Sequence, residues 1–484
     1  MSPHAPESGA PTRADPVAAS ASEVIGGPLG RYAAAARHTA GSSRLGGLAA
    51  AAVLVGLSSL TVALGVLQKG HCFSKGWNTP DQFWHACYSD FPASAGIGHA
   101  MPYLAGASSG QRLDQPLISG VVMWLVGLVV PDGAALVRQQ WYFALWAVLI
   151  VVIVMVLVAV TAASVPRAPW RAAHVALSPV LVLAGLVSVD LLGVLLASVA
   201  LWAWGRNKVL LAGVLFGLAI SARSYPLVLL VAIGMVAARS GRMDVWRRLA
   251  ATTLATCLAV SLPWLLVNAD ALLSVYRSWW RGGPSYGSLW MAPTLLGRQL
   301  AQGQLSGLVI LGWLAALAVG AFFALSLDRR PTVAEVSLVM LVVIVVTGKA
   351  MPVQAALWLL PLIALVGLKW RDHLIWAGFE ATYFVAVWLY IAGLSKPDRG
   401  LPPGLYAVMI MLRIAAWLFL LVRVWRVARS RAPVDQEYAD QQSFDQQSVD
   451  QECADQSEDP EGDEVDPLAG PLAGAPDRLL VHLS

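Results

Sequence analysis

Apolar runs broken by short polar punctuation recur from about residue 46 to residue 425. We mark membrane spans at about 46–67, 141–163, 173–188, 190–205, 208–222, 224–238, 249–267, 308–327, 333–348, 354–368, 374–393 and 405–425. Several are shorter than the roughly 20 residues a straight span needs, so some boundaries shift or the bundle thins there. The pairs 173–205 and 208–238 could each be one long buried segment, but a charged or Pro-containing break divides both. The pattern predicts an all-α polytopic membrane protein of about 12 transmembrane helices.

Lys and Arg orient these spans. With the N-terminus inside, Arg37, Arg167, Arg206, Arg242, Arg330 and Arg371, with many neighbours, fall on the inner side, and the outer loops hold fewer cations, as the positive-inside bias requires. Both termini are then cytoplasmic. The assignment also requires residues 116–130 not to cross, as an interfacial or re-entrant segment of the first outer loop. A true crossing helix there would invert every later loop. Two outer loops are long, about 68–140 and 268–307, and long loops are usually functional.

Composition agrees. Of 484 residues, 57% are hydrophobic and 13% charged, with mean hydropathy +0.64, against about a quarter charged in soluble domains. The 20 Trp suit a membrane interface. A net charge of +4 without a basic, aromatic-rich module excludes nucleic-acid binding. Residues 1–44 are Ala, Ser, Pro and Gly rich with no early apolar core, so the first span reads as a retained anchor. Residues 429–484 form an acidic tail in which Asp recurs every five residues from Asp435 to Asp455. Both tails are expected to be disordered and cytoplasmic.

The candidate chemistry lies on the outer side. Cys72 and Cys87 flank a loop that a disulfide would close, stabilising by roughly 3 kcal/mol in the loop-entropy model; two free thiols are the alternative. His71, His85 and His99 share this loop, but their spacing fits no standard zinc motif, and no metal is assigned. Asp90 sits among Trp84, Tyr88 and Phe91, where desolvation can raise its pKa toward a general base; a solvated turn is the bland reading. Asp190, Arg223 with Tyr225, and Lys349 with Gln354 occupy outer ends of spans. Ionisable groups at membrane depth tend to be functional, and two cations there could hold a lipid phosphate, or simply snorkel. Glu380 and Arg413, both within spans, are most economically an ion pair.

Several blocks, in order, resemble a family: C-Y-S-D-F-P at 87–92, P-Y-L at 102–104, D-Q-P-L-I-S-G at 114–120, A-L-S-P at 176–179 and V-D-L-L at 189–192. They continue with A-R-S-Y-P-L at 222–227, Y-G-S-L-W at 286–290, G-K-A-M-P-V-Q at 348–354 and W-L-L-P-L at 358–362. Over about residues 45–425 the chain resembles the polyprenol-phosphate-mannose-dependent mannosyltransferases of glycosyltransferase family 87, which have the GT-C fold, within a transmembrane domain expected at 45–428. The resemblance implies inverting transfer of a sugar, mannose, from a polyprenyl-phosphate donor to a glycolipid or glycan acceptor at the outer face of the plasma membrane. No cofactor is implied. It assigns Asp90 as base and Arg223 and Lys349 to the donor phosphate. Asp114, Asp190, Tyr225, Ser288, Trp290 and Gln354 are assigned to substrate. The sequence departs from the family at Arg223, where Lys is commoner, at Gln115 in place of an aromatic, and at Met291 in place of Tyr. A transporter or lipid flippase and a non-catalytic cell-envelope subunit are the rival readings. No internal repeat of the kind many transporters show is visible.

Overall fold

The computed structural model describes residues 43–95, 115–430, 466 and 468–481. The expectations for residues 1–42, for Asp114 and His99, and for residues 431–465 lie outside them. The described residues are helical, with no strand among them. Eleven longer helices organise the chain: α1 (Ser43–Gln68), α2 (Leu117–Leu128), α3 (Ala135–Ser164), α4 (Asp190–Gly205), α5 (Val209–Ala222), α6 (Pro226–Arg239), α7 (Met243–Arg281), α8 (Gln302–Ser326), α9 (Val333–Val346), α10 (Trp370–Ser395) and α11 (Pro403–Ser430). Six of them, α1, α3, α7, α8, α10 and α11, are long and apolar enough to cross a membrane. Leu254, Leu258, Leu262 and Leu266 form an exposed stripe at helical spacing along α7, and Leu60, Val148 and Leu311 are exposed on α1, α3 and α8. Apolar side chains that face outward along whole helices suit lipid, which solvates them.

The segment expected as a span at 173–188 is not one helix. It breaks into Ala173–Ala176 and Pro179–Ala184, with Ser178 capping the second by accepting from the Val180 amide. Proline cannot donate its amide to the preceding turn, so the helix restarts at Pro179. The expected span at 354–368 is likewise a 3-10 turn, Val353–Trp358, followed by Leu360–Val366. The second long loop is also shorter than expected. α7 remains helical to Arg281 across one non-helical residue, Asn268, whose side chain accepts from the Ala271 amide and caps the continuing helix.

α2 does not cross. Twelve residues rise about 18 Å, well short of a bilayer core of about 30 Å. Ser119 near its start donates to the Ala222 carbonyl at the end of α5, and Tyr142 near the start of α3 donates to the Met123 carbonyl. Helix packing elsewhere relies on small residues. A Cβ on Gly213 or Gly217 of α5 would lie 2.6 or 2.5 Å from Thr252 or Thr256 of α7, so these glycines let the two backbones approach.

At the opposite end, part of the tail expected to be solvated is packed. Leu468 and Leu472 are buried, and the Arg478 amide donates to the Arg239 carbonyl. Arg239 is fully buried at the end of α6. It donates to the Asp477 carboxylate through Nε (2.8 Å) and Nη2 (2.6 Å), and to the carbonyls of Ala324, Leu327 and Asp328. Arg330 also meets Asp477. The Arg239 guanidinium cannot stay buried without an anion, so the tail completes the fold. Asp477→Ala is expected to destabilise the bundle by about 3 kcal/mol and to open residues 468–481 to protease. Limited proteolysis and thermal unfolding in detergent check this; unchanged cleavage and Tm would mean that the clasp contributes nothing.

Candidate active site

The first loop is built inward from its disulfide. Cys72, in the helical turn Gly70–Lys75, bonds to Cys87 with a Cα–Cα distance of 5.9 Å, and both are fully buried. Trp77 donates to the Cys87 carbonyl, and Phe83, Tyr88 and Trp388 of α10 form an aromatic cluster that seats the loop on the bundle. Ser89 caps the short helix Asp90–Ser94 and donates to the Leu186 carbonyl (2.8 Å), while the Asp90 amide donates to the Val187 carbonyl (2.8 Å). These bonds fasten the loop to the turn just before Asp190.

Asp90, Asp190 and Arg223 are thus brought into one electrostatic cluster. Tyr88 donates its hydroxyl to Asp90 Oδ1 at 2.7 Å. Burial holds the Asp90 carboxyl above the usual carboxylate range. The Tyr88 hydrogen bond opposes that rise, the Asp190 charge adds to it, and Arg223 and Lys69 oppose it. Lys69, fully buried at the end of α1, donates to the Tyr88 carbonyl (2.8 Å) and lies over the Phe384 ring. Burial pulls its pKa down to about 7, with the Asp90 charge working against the shift. Burial and the Asp90 charge together push the Tyr88 hydroxyl well up.

Asp190 opens α4 and is 2% exposed. It accepts from Ser188 Oγ (2.5 Å), Trp358 Nε1 (2.9 Å) and Arg223 Nη2 (2.9 Å). Arg223 Nη1 donates to Gln115 Oε1 at 2.7 Å, whereas its Nε is buried without a hydrogen-bond partner. Tyr225 stacks on Trp358, with ring centroids 4.9 Å apart.

Lys349, Ser288 and Trp290 form a second group around the end of α7. Lys349 is 1% exposed; Nζ donates to the Trp280 carbonyl and to Ser306 Oγ, and lies over the Trp279 and Trp280 rings. Lost solvation lowers its pKa. Ser288 donates to the Gly348 carbonyl and Trp290 to the Thr347 carbonyl. Both side chains are thus occupied in holding two backbone turns together. Gln354 is half-buried and makes no side-chain hydrogen bond among the described residues. No hydrogen bond or ion pair among them joins this group to the Asp90 cluster. Glu380 and Arg413 do pair, at 2.9 Å, and Arg413 also donates to the Met351 and Pro352 carbonyls, which fixes the turn that carries Lys349.

Lys69, Ser188 and Trp358 were not singled out in the sequence. Lys69 is the first cation after the first apolar run, and nothing in its neighbours distinguishes a buried amine from a snorkelling one. The loop also gathers His71 and His85 around Asp81, an acid that the spacing of the three histidines did not suggest.

Residues 115–348 match the model of glycosyltransferase family 87, so the resemblance read in the sequence holds over that stretch. It contains Asp190, Arg223, Tyr225, Ser288 and Trp290, and it ends just before Lys349. The match supports a membrane glycosyltransferase. No curated protein matches the chain. Among solved structures the chain is distantly similar to ArnT from Cupriavidus metallidurans bound to undecaprenyl phosphate. The identity is 17%, with 77% of each chain covered and a TM-score of 0.37.

Because the disulfide ends three residues before Asp90, its loss acts on the site. Cys87→Ser is expected to cost about 2–5 kcal/mol and to loosen the Asp90 segment. Hydrogen exchange across residues 86–94 and thermal unfolding measure this; protection equal to wild type would show that the bond does not position the carboxylate.

Proposed function

We propose that the protein is an inverting glycosyltransferase that moves a sugar, mannose by family resemblance, from a polyprenyl-phosphate donor to an acceptor hydroxyl on a glycolipid or glycan. The reaction takes place at the outer face of the plasma membrane, with both chain termini in the cytoplasm. The observation that carries this reading is the placement of Asp90, with its raised pKa, in one electrostatic cluster with the Asp190–Arg223 pair. Asp90 takes the proton of the acceptor hydroxyl as that oxygen attacks the anomeric carbon. The bond from that carbon to the phosphate oxygen breaks, and the electron pair leaves on the lipid phosphate. The sugar passes through an oxocarbenium-like transition state. Arg223 faces the charge that develops on the phosphate. The donor carries its own activated bond, so the chemistry needs no further cofactor.

Tyr225 and Trp358 offer a stacked aromatic wall beside these groups. Asp190 orients Arg223, and Asp114 and Gln354 are assigned to sugar hydroxyls. Lys349 serves as a second phosphate cation once its ammonium leaves the Trp280 carbonyl. Ser288 and Trp290 contribute by holding the turn before Lys349.

The first test is sugar transfer by purified protein in nanodiscs, with polyprenyl-phosphate mannose and a panel of glycolipid acceptors. Wild type is expected to form a new glycolipid, and Asp90→Asn to lose about 100- to 10,000-fold in turnover while still binding donor. Donor movement across the bilayer without a new glycosidic bond would favour a transporter. Full activity in Asp90→Asn would remove the base assignment. The pH profile gives a second test. A base must be deprotonated, and the Asp90 carboxyl sits above the ordinary range, so kcat/KM is expected to fall on the acid side at a pH above about 4. The Lys69 charge favours the Asp90 carboxylate, so Lys69→Gln is expected to move this acid limb to higher pH. A limb that stays in place would separate Lys69 from the base.

A further inference from the structure

The first loop carries a second constellation, on its solvent side, that the transfer chemistry does not use. His71 Nε2 lies 2.7 Å from Asp81 Oδ2, and His85 Nδ1 lies 3.3 Å from Asp81 Oδ1. The two imidazoles stack with centroids 3.5 Å apart and planes 12° apart. One ligand atom from each of the three residues falls within 4.8 Å of the other two. We propose that His71, Asp81 and His85 bind one divalent transition-metal ion, zinc by preference, as a clip on the loop that carries Asp90.

The geometry is near what an ion needs. Zn–N and Zn–O bonds of about 2.0–2.2 Å put tetrahedral neighbours about 3.3–3.6 Å apart, within the 4.8 Å that the three ligand atoms already span. His71 Nε2 and His85 Nδ1 each lie beside one oxygen of the Asp81 carboxylate, and the stacked rings turn apart about their side-chain bonds to bring both nitrogen lone pairs onto a common ion. The His85 ring nitrogen also lies 3.1 Å from the Asp81 carbonyl, a contact it gives up if that nitrogen turns to the metal. One hydrogen bond to Asp81 would occupy a single histidine. Here two imidazoles converge on one carboxylate. Imidazole with carboxylate suits zinc and its neighbours rather than calcium or magnesium.

The chain supplies this arrangement locally. Asp81 and His85 are four residues apart on one helical turn and so share a face. His71 adjoins Cys72, and His85 stands two residues before Cys87, so the disulfide holds both histidines in register. All three side chains are partly exposed, which gives an ion access from solvent. Three protein ligands leave open positions for water or an incoming oxygen. The site stands apart from the Asp90 cluster, and its existence does not rest on the transferase reading.

The test uses the full chain in nanodiscs, freed of any polyhistidine tag and stripped with EDTA, then titrated with Co2+ and Zn2+. One Co2+ per chain, with visible absorption bands that Zn2+ abolishes, is the expected result, along with a rise in Tm on adding Zn2+. His71→Ala/His85→Ala is expected to lose the bands. Asp81→Asn, which keeps the shape of the loop, is expected to bind at least tenfold more weakly. An intact-mass measurement of the Cys72–Cys87 bond confirms that each variant keeps the loop closed. No saturable binding by wild type, or equal binding by wild type and both variants (an adventitious ion only), would overturn the proposal.

Discussion

The buried carboxylate of Asp190 holds the candidate active site together. An unpaired charge in an apolar bundle costs several kcal/mol, so it must collect donors from whatever segments it meets. Asp190 collects them from Ser188 in the turn before α4, from Arg223 at the end of α5 and from Trp358 in the 3-10 turn after α9. Through Arg223 it also reaches Gln115 at the start of α2. Helices surrounded by lipid gain little from hydrophobic contact with one another, so such polar ties and close small-residue packing set their register. Loss of this one carboxylate would break the ties to Ser188, Arg223 and Trp358 together.

The same constraint is repeated at three other places. Glu380 and Arg413 join α10 to α11, and Arg413 uses its remaining donors on the Met351 and Pro352 carbonyls. Asp372 and Arg423 pair at the far end of the same two helices. Arg239 takes its anion from Asp477, far along the chain. The turns that bear polar residues are therefore positioned by charge pairs lying behind them. Ser288 and Trp290 belong to this supporting layer, because their polar atoms close onto the Thr347–Gly348 backbone and leave Lys349 nearer the interior than its sequence suggests.

Hydropathy made the long helices legible, because a segment wetted by lipid must be apolar along its full length. α1, α3, α7, α8, α10 and α11 read this way. The pair Glu380–Arg413 was legible for the same reason, since two opposite charges in apolar runs have few ways to be stable. The broken segment at 173–188 was not legible. Its apolar content is that of a span, and only the restart at Pro179 marks the break. Asp90, Asp190 and Arg223 were visible as isolated oddities, but their meeting depends on the loop being fastened at Leu186 and Val187 through backbone carbonyls, which leave no trace in composition. Lys69 was missed because a lysine at the end of a span ordinarily snorkels. The packed segment 468–481 was missed because its anchor, Arg239, looked like one more inner cation.

Four charges within reach of one another also account for why the cluster suits a reaction that moves charge. With Asp90 and Lys69 both ionised, the two acids balance Lys69 and Arg223. Burial lowers the Lys69 pKa to about 7, and an approaching anion favours its charged form. A phosphodiester donor is such an anion, and its arrival raises the proton affinity of Asp90 as well. In the proposed transfer the phosphate gains a further negative charge as its bond to the sugar breaks, while Asp90 loses one by taking the acceptor proton. The two changes cancel within the cluster. Arg223, fixed by Asp190 and Gln115, brings a preorganised positive charge to the cluster, and a preorganised cation is what lowers a barrier. Burial, which makes each of these groups costly alone, keeps water from screening the exchange between them.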